Sequence, residues 1–354
     1  MSNITHHEVT YANGIKKIHY LATGPVDGPL ILFIHGWPAT GITWKSQLEA
    51  CASVGFRAIA PDMPGYGQST ARREVDDYCI EAIVDGMIAL LADTGRKAAV
   101  WVGHDWGSGI VSAVALQHPE VVKAMVNMCV PFLTLELGWD PLLSLMNREV
   151  YPIDKYEFGQ FDYIKNWEEN FEKTAAWFDS DIAGVCAIMS QKSIPQKDPK
   201  HPNDLMALVR KNGGWLGGIP KPPSAHQLGP VALPSDVYES FVSDMEKTGF
   251  WPGSAYYLHL ERNAKYNANC EKKVDFPVLF MHALWDAVCE TIHSQFPEPM
   301  RQNCSNLTEA KIDAAHFLYF EKPREVNAVL LRWLADQVPS EWPGALESEY
   351  TKVK

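Results

Sequence analysis

The chain has 354 residues, 46% of them hydrophobic and 21% charged, with a formal net charge of −12. That balance is of a globular protein and excludes a dominant disordered tail or coiled coil. An acidic chain without a Lys/Arg block argues against nucleic-acid and anionic-membrane partners, and its longest apolar runs fall far short of a membrane span.

The first residues read as a hairpin, with strand-like runs Glu8–Tyr11 and Ile15–Leu21 joined by a tight turn at Asn13-Gly14. Three short, continuously apolar runs follow, at Pro29–Ile34, Phe56–Ala60 and Lys97–Val102. Between the last two, Tyr78–Thr94 carries Ile80, Ile83, Val84, Met87, Leu90 and Leu91 at helical spacing. A helix over Ser108–Gln117 and a strand over Val121–Val130 continue the alternation. Phe276–Met281 and Leu307–Ala310 resume it near the end. Short strands buried on both faces and alternating with helices predict an α/β fold with a parallel sheet covered by helices.

Between Pro131 and Asn269 the rhythm breaks into a stretch rich in Trp, Tyr and Phe at helical intervals. Residues 195–235 hold eight of the 24 prolines and five glycines, which forbids regular helix or strand there. The expected organisation is a core of residues 1–133 and 269–354 interrupted by a mainly helical cap, 134–268. Seven scattered cysteines without a CxxC pair, and an N-terminus without a basic-then-apolar segment, point to a soluble cytoplasmic protein with reduced thiols.

The chemistry concentrates at strand ends. Gly103-His104-Asp105-Trp106-Gly107 lies between a predicted strand and a predicted helix, with the Gly-x-nucleophile-x-Gly spacing of a nucleophile elbow. Small flanking residues permit a strained turn, and the N-terminus of the following helix favours negative charge at the same place. The central residue is Asp, not Ser. A carboxylate attacks without deprotonation, which suits alkylation at an sp³ carbon to give an alkyl ester. Taken alone, the pentapeptide is equally an ordinary glycine-rich turn.

Its neighbours tip the balance. His35-Gly36-Trp37-Pro38 follows the earlier strand where an elbow enzyme completes its oxyanion hole, with the backbone N–H groups of Trp37 and Trp106 as donors. Asp62-Met63-Pro64-Gly65-Tyr66-Gly67 resembles a dinucleotide fingerprint, but Thr70 replaces the third glycine, so it reads as a structural turn. No His, Cys and Asp cluster has metal-ligand spacing. Gly213-Gly214-Trp215-Leu216-Gly217-Gly218 reads as flexible loop rather than a phosphate cradle. His104 is expected to point away from Asp105 into packing, and His282 to be a satisfied histidine on a buried strand.

On these motifs the chain resembles the α/β-hydrolases of the soluble epoxide hydrolase family, over nearly its whole length and most strongly over residues 30–133 and 248–335. The resemblance implies the chain order nucleophile, acid, histidine. Asp286, just after a strand in Phe280–Asp286, then matches the acid, and His316 in Asp313-Ala314-Ala315-His316 matches the histidine. Ala314-Ala315 departs from the Gly-Gly more usual in the family, and Asp313 is the alternative acid. The family also uses two cap tyrosines to hold the epoxide oxygen, and these match Tyr163, with Tyr151 and Tyr156 nearby, and Tyr257. A phenol with a pKa of ~10 donates a proton to a developing alkoxide without ionising at neutral pH; amphipathic aromatics also line helical interfaces for packing alone.

The resemblance implies hydrolysis of an apolar or aromatic epoxide to a vicinal diol, with no cofactor or metal. Substrate contacts would come from Trp37, Trp106, Tyr163 and Tyr257. Two other readings remain: a haloalkane dehalogenase, with Trp106 and an amide or indole N–H of Trp37 or Trp251 as halide donors in place of the tyrosine pair, and a non-catalytic ligand-binding protein on a hydrolase scaffold.

Overall fold

The computed structural model describes residues 4–192 and 201–344. Eight strands form one sheet: β1 (Thr5–Tyr11), β2 (Lys16–Thr23), β3 (Leu30–Ile34), β4 (Arg57–Pro61), β5 (Ala99–His104), β6 (Val122–Met128), β7 (Val278–Ala283) and β8 (Leu307–Ile312). Their order across the sheet is β1-β2-β4-β3-β5-β6-β7-β8. β1 and β2 pair antiparallel, β2 runs antiparallel to β4, and every other pairing is parallel. All five residues of β3 and all six of β5 and β7 are buried, as continuous apolar runs covered on both faces require.

The N-terminal hairpin forms, but its turn is longer than Asn13-Gly14. Tyr11 pairs with Lys16, and Ala12, Asn13 and Gly14 all take left-handed φ angles of 51°, 57° and 82°. The helix expected over Tyr78–Thr94 spans Ile80–Asp93 and buries the expected stripe. Tyr78 belongs instead to a 3₁₀ turn, and extended Cys79 separates the two. Asn263 caps this helix from far along the chain, its Oδ1 accepting the Ile80 N–H at 2.9 Å.

Between β6 and β7 the chain is helical, with helices at Asp162–Asp179, Ile182–Met189, Ser235–Thr248 and Leu260–Asn267. Within residues 195–235, the segment 195–200 lies outside the described residues; the rest holds only single turns, at Asp204–Ala207, Trp215–Gly218 and Ala225–Gln227. This region sits on the carboxyl ends of the strands. Tyr256 donates to the Pro64 carbonyl at 2.8 Å, and the Trp37 indole donates to Ser254 Oγ at 3.0 Å. Among the described residues no helix is long and apolar enough to cross a membrane. All seven cysteines are free thiols, six of them buried.

Sheet order decides what meets what. β3 lies beside β5 with Ile34 opposite Gly103, so the loops carrying Trp37 and Asp105 start side by side. β7 lies beside β8 with Ala283 opposite Ile312, which does the same for Asp286 and His316.

Candidate active site

Asp105 sits at the turn from β5 into the helix Trp106–Gln117 with φ 54° and ψ −125°, a conformation strained for a residue with a side chain. The flanking glycines are obligatory. A Cβ at Gly103 would lie 2.5 Å from the Gly107 carbonyl oxygen, and one at Gly107 would lie 2.0 Å from that of Ile34. Gly36 is needed for a different reason: a Cβ there would stand 2.3 Å from Asp105 Oδ1. That space lets the Trp37 N–H reach Asp105 Oδ1 at 2.8 Å, while the Trp106 N–H bonds the same carboxylate.

His35 holds this loop. Its Nε2 accepts the Met63 N–H at 2.9 Å, so Nδ1 carries the proton donated to the Gly36 carbonyl at 2.9 Å. Burial pushes its pKa down to about 4, keeping that neutral tautomer.

On the other side of Asp105, His316 Nε2 lies 3.5 Å from Oδ2, and His316 Nδ1 lies 2.9 Å from Asp286 Oδ2. The second Asp286 oxygen accepts the N–H groups of Val288 at 2.8 Å and Cys289 at 2.9 Å, which fixes the carboxylate against rotation. Burial opposes charge on His316. The Asp286 carboxylate and the hydrogen bonds to Asp105 and Asp286 outweigh it and push the pKa up to about 10. Asp105 is likewise opposed by burial, yet its contact with His316 holds its pKa below the ordinary carboxylate value. The acidic neighbours on both sides therefore favour the protonated form of the His316 ring.

The structure brings two further side chains to this point. His104 is fully buried and its Nε2 donates to the His316 carbonyl at 2.7 Å; Cys129 Sγ donates to the same oxygen at 3.0 Å. His104 thus anchors the His316 loop rather than merely packing. Burial, then the nearby His316 charge, lowers its pKa to about 3. Although the sequence shows no metal-ligand spacing, the fold places one ligand-type atom each of His104, Cys129 and His316 within 4.8 Å of one another. Parallel pairing of β5 with β6, not sequence spacing, creates that proximity.

Tyr163, on the helix Asp162–Asp179, and Tyr257, in the turn Ala255–His259, meet above Asp105 with ring centroids 5.8 Å apart at 81°. Burial, with the Asp105 charge adding to it, raises both phenol pKa values well above their usual range, so both hydroxyls stay protonated. The other tyrosines are engaged elsewhere: Tyr151 accepts from the Asn203 N–H, and Tyr156 donates to Asp204. Two small cavities of about 20 and 90 Å³ meet at this point, sharing Asp105, Tyr163, Tyr257 and Val288. The first continues among Leu135, Leu142 and Phe161, and the second among Met189, Met206 and Trp215. Their walls are mainly apolar.

The remaining candidates take other partners. Asp313 accepts the Trp285 indole N–H. His282 bonds Thr291 and Glu309, each at 2.9 Å. The Asp62 carboxylate accepts the Gly41 and Gln68 N–H groups and pairs with His19, in keeping with a structural turn. The Trp37 indole is committed to Ser254 and that of Trp251 to Glu172 at 2.8 Å.

The α/β-hydrolase fold family profile matches residues 29–177. Bifunctional epoxide hydrolase 2 of Sus scrofa is 27% identical over 337 residues, covering 94% of this chain and 56% of that protein. The chain thus spans little more than half the length of that relative. Epoxide hydrolase A of Mycobacterium tuberculosis is 28% identical over 331 residues, covering 91% of this chain and 95% of its own. Among solved structures, epoxide hydrolase A from Mycobacterium thermoresistibile aligns with a TM-score of 0.75 at 25% identity, over 95% of this chain and 99% of that one. An epoxide hydrolase from Vigna radiata aligns with a TM-score of 0.70 at 26% identity, over 94% and 98%. The chain has the α/β-hydrolase fold, and over nearly its whole length it is similar to these epoxide hydrolases.

Proposed function

We propose that this protein hydrolyses an apolar or aromatic epoxide to a vicinal diol through an alkyl ester on Asp105, with residues 134–268 acting as a cap over a core of residues 1–133 and 269–354. The observation that carries the reading is the division of labour at one carboxylate. Oδ1 of Asp105 is held by the Trp37 N–H at 2.8 Å, whereas Oδ2 faces the cavity beside His316 and beneath two protonated tyrosines.

In the first step Oδ2 attacks the less hindered ring carbon. The C–O bond to that carbon breaks as the new bond forms, and the released oxygen takes a proton from Tyr163 or Tyr257. Oδ1 remains in its amide hole as the ester carbonyl. Esterification removes the Asp105 charge, and with it one of the two carboxylates that hold the His316 pKa up. The imidazolium, oriented by Asp286, then gives its proton to the tyrosinate left by ring opening, and the neutral imidazole can accept one from water.

In the second step that water attacks Cγ of Asp105, and the N–H groups of Trp37 and Trp106 hold the tetrahedral oxyanion. Collapse breaks the Cγ–Oδ2 bond, and His316 protonates the departing diol oxygen. The proton released from the regenerated Asp105 carboxyl returns to His316 and restores the starting state. The sum is epoxide plus water giving diol.

The dehalogenase reading needs a second free amide or indole N–H beside Trp106; the indoles of Trp37 and Trp251 already donate to Ser254 and Glu172, and the Trp37 amide to Asp105. A panel of aliphatic, styrene-type and fatty-acid epoxides, scored for diol alongside haloalkanes scored for halide, tests the assignment. Diol without halide is expected. Halide release, or tight epoxide binding with no diol, would replace it with one of the alternatives.

A further inference from the structure

Asp105, His316, Tyr163 and Tyr257 are only 5%, 7%, 4% and 2% exposed, so a substrate reaches Asp105 only past the walls of the cavity. Most walls are fastened: Trp37 through its indole to Ser254, and Tyr163 by its place in a long helix. Trp215 is held differently. Its ring packs edge-on against Tyr163 at 5.6 Å and Phe178 at 5.1 Å, yet its buried indole N–H has no hydrogen-bond partner.

The strap that carries Trp215 is built to turn. In Gly213-Gly214-Trp215-Leu216-Gly217-Gly218 every residue except the tryptophan has a positive φ, from 51° at Leu216 to 154° at Gly214. A Cβ at Gly213 or Gly217 would meet nothing within 4 Å, so no side-chain packing holds those positions. Both ends are anchored instead. Arg210 is tied to Asp162 through its N–H at 2.9 Å and its Nε at 2.7 Å, and the Ile219 carbonyl accepts the Trp177 indole at 2.8 Å.

Behind the strap lies a third cavity, an outer groove of about 500 Å³ rimmed by exposed Lys173 and Lys221. Among the described residues Trp215 alone lines both this groove and the cavity that holds Asp105. We infer that Trp215 is the gate between them: substrate enters through the outer groove, and the indole swings out on its paired glycines to admit it. Closure covers apolar walls but leaves the indole N–H unpaired, whereas opening hydrates that group. The two effects oppose each other and keep the open and closed states close in free energy. Trp215 thereby sets which sizes of epoxide reach Asp105, a consequence that rests on the proposed reaction, although the gate itself does not.

Cys289 lines the inner cavity with Asp105 and reports on access without any turnover. Labelling of the intact protein by a maleimide, mapped peptide by peptide, should be slow at Cys289 in the wild type. A gate open for a few per cent of the time or less retards such a reaction by about tenfold or more. Trp215→Ala should raise the Cys289 rate by about that factor and leave buried Cys51 unchanged. Trp177→Phe, which releases the Ile219 anchor without touching the inner cavity, should give a smaller rise. In parallel, Trp215→Ala should raise kcat/KM for a stilbene-type epoxide relative to a small aliphatic one. Unchanged Cys289 labelling in both variants, or equal acceleration at Cys51, would overturn the gate. Absence of diol from every epoxide, with Cys289 labelling still accelerated, would count against the reaction and leave the gate standing.

Discussion

Oδ2 of Asp105 lies 3.5 Å from Nε2 of His316, and the far nitrogen of the same ring lies 2.9 Å from Asp286. One imidazole thus bridges two buried carboxylates, and its proton affinity depends on whether both are charged. Chemistry that neutralises Asp105 changes the very group needed next.

The pH behaviour of His316 tests that coupling. In the folded protein its pKa is raised from the ordinary 6.5 to about 10. The stability this contributes is fully present below pH 6.5 and is lost as pH rises through about 10. Thermal unfolding of the wild type should therefore show a loss of stability across that window that His316→Gln lacks. Asp105→Asn, which imitates the uncharged ester, should bring the His316 midpoint down in an imidazole NMR titration. A midpoint that does not move on that substitution would break the link between the two steps.

In the proposed reaction both tyrosines act on one oxygen. Tyr257→Phe should slow ester formation by about 10²-fold and leave a partly active enzyme, since Tyr163 still donates. The double substitution should abolish measurable ring opening, with losses that do not add. Rapid-mixing measurement of the first turnover reads this directly, and a double variant with the wild-type rate would remove both residues from the mechanism.

Asp286 is asked to orient His316 and stabilise its charged form while water attacks. Asp286→Asn should slow ester hydrolysis by about 10⁴-fold, with a much smaller effect on ester formation. Asp313 is occupied by the Trp285 indole, so Asp313→Asn should turn over close to the wild-type rate. The opposite ranking in single-turnover assays would transfer the role to Asp313.

What could be read in advance follows from the range of the signals. β3, β5 and the helix Ile80–Asp93 are written in apolar periodicity, and Trp37, Asp105, Asp286 and His316 each follow a recognisable strand. The grip of His104 and Cys129 on the His316 carbonyl was not legible, because it arises from the lateral order of β5 to β8. Glu136 is similar. It is fully buried, with its carboxylate turned back onto the N–H groups of Leu133 and Thr134. The hairpin turn was misjudged in length because Ala12, an unfavoured residue for it, takes a left-handed angle of 51°. Trp215 was hidden for the opposite reason: a glycine-rich run has no periodicity to say which way its single large side chain faces.

The covalent role of Asp105 is the central claim, and trapping the ester tests it most directly. His316→Gln should still form the ester but fail to hydrolyse it. Intact-protein mass spectrometry after addition of epoxide should then show a gain of one substrate mass, and peptide mapping should place it on the peptide that contains Asp105. Asp105→Ala should give neither adduct nor diol. Diol formation by His316→Gln with no adduct at any time would contradict the account, since Asp105 would then be activating water rather than bonding to the substrate.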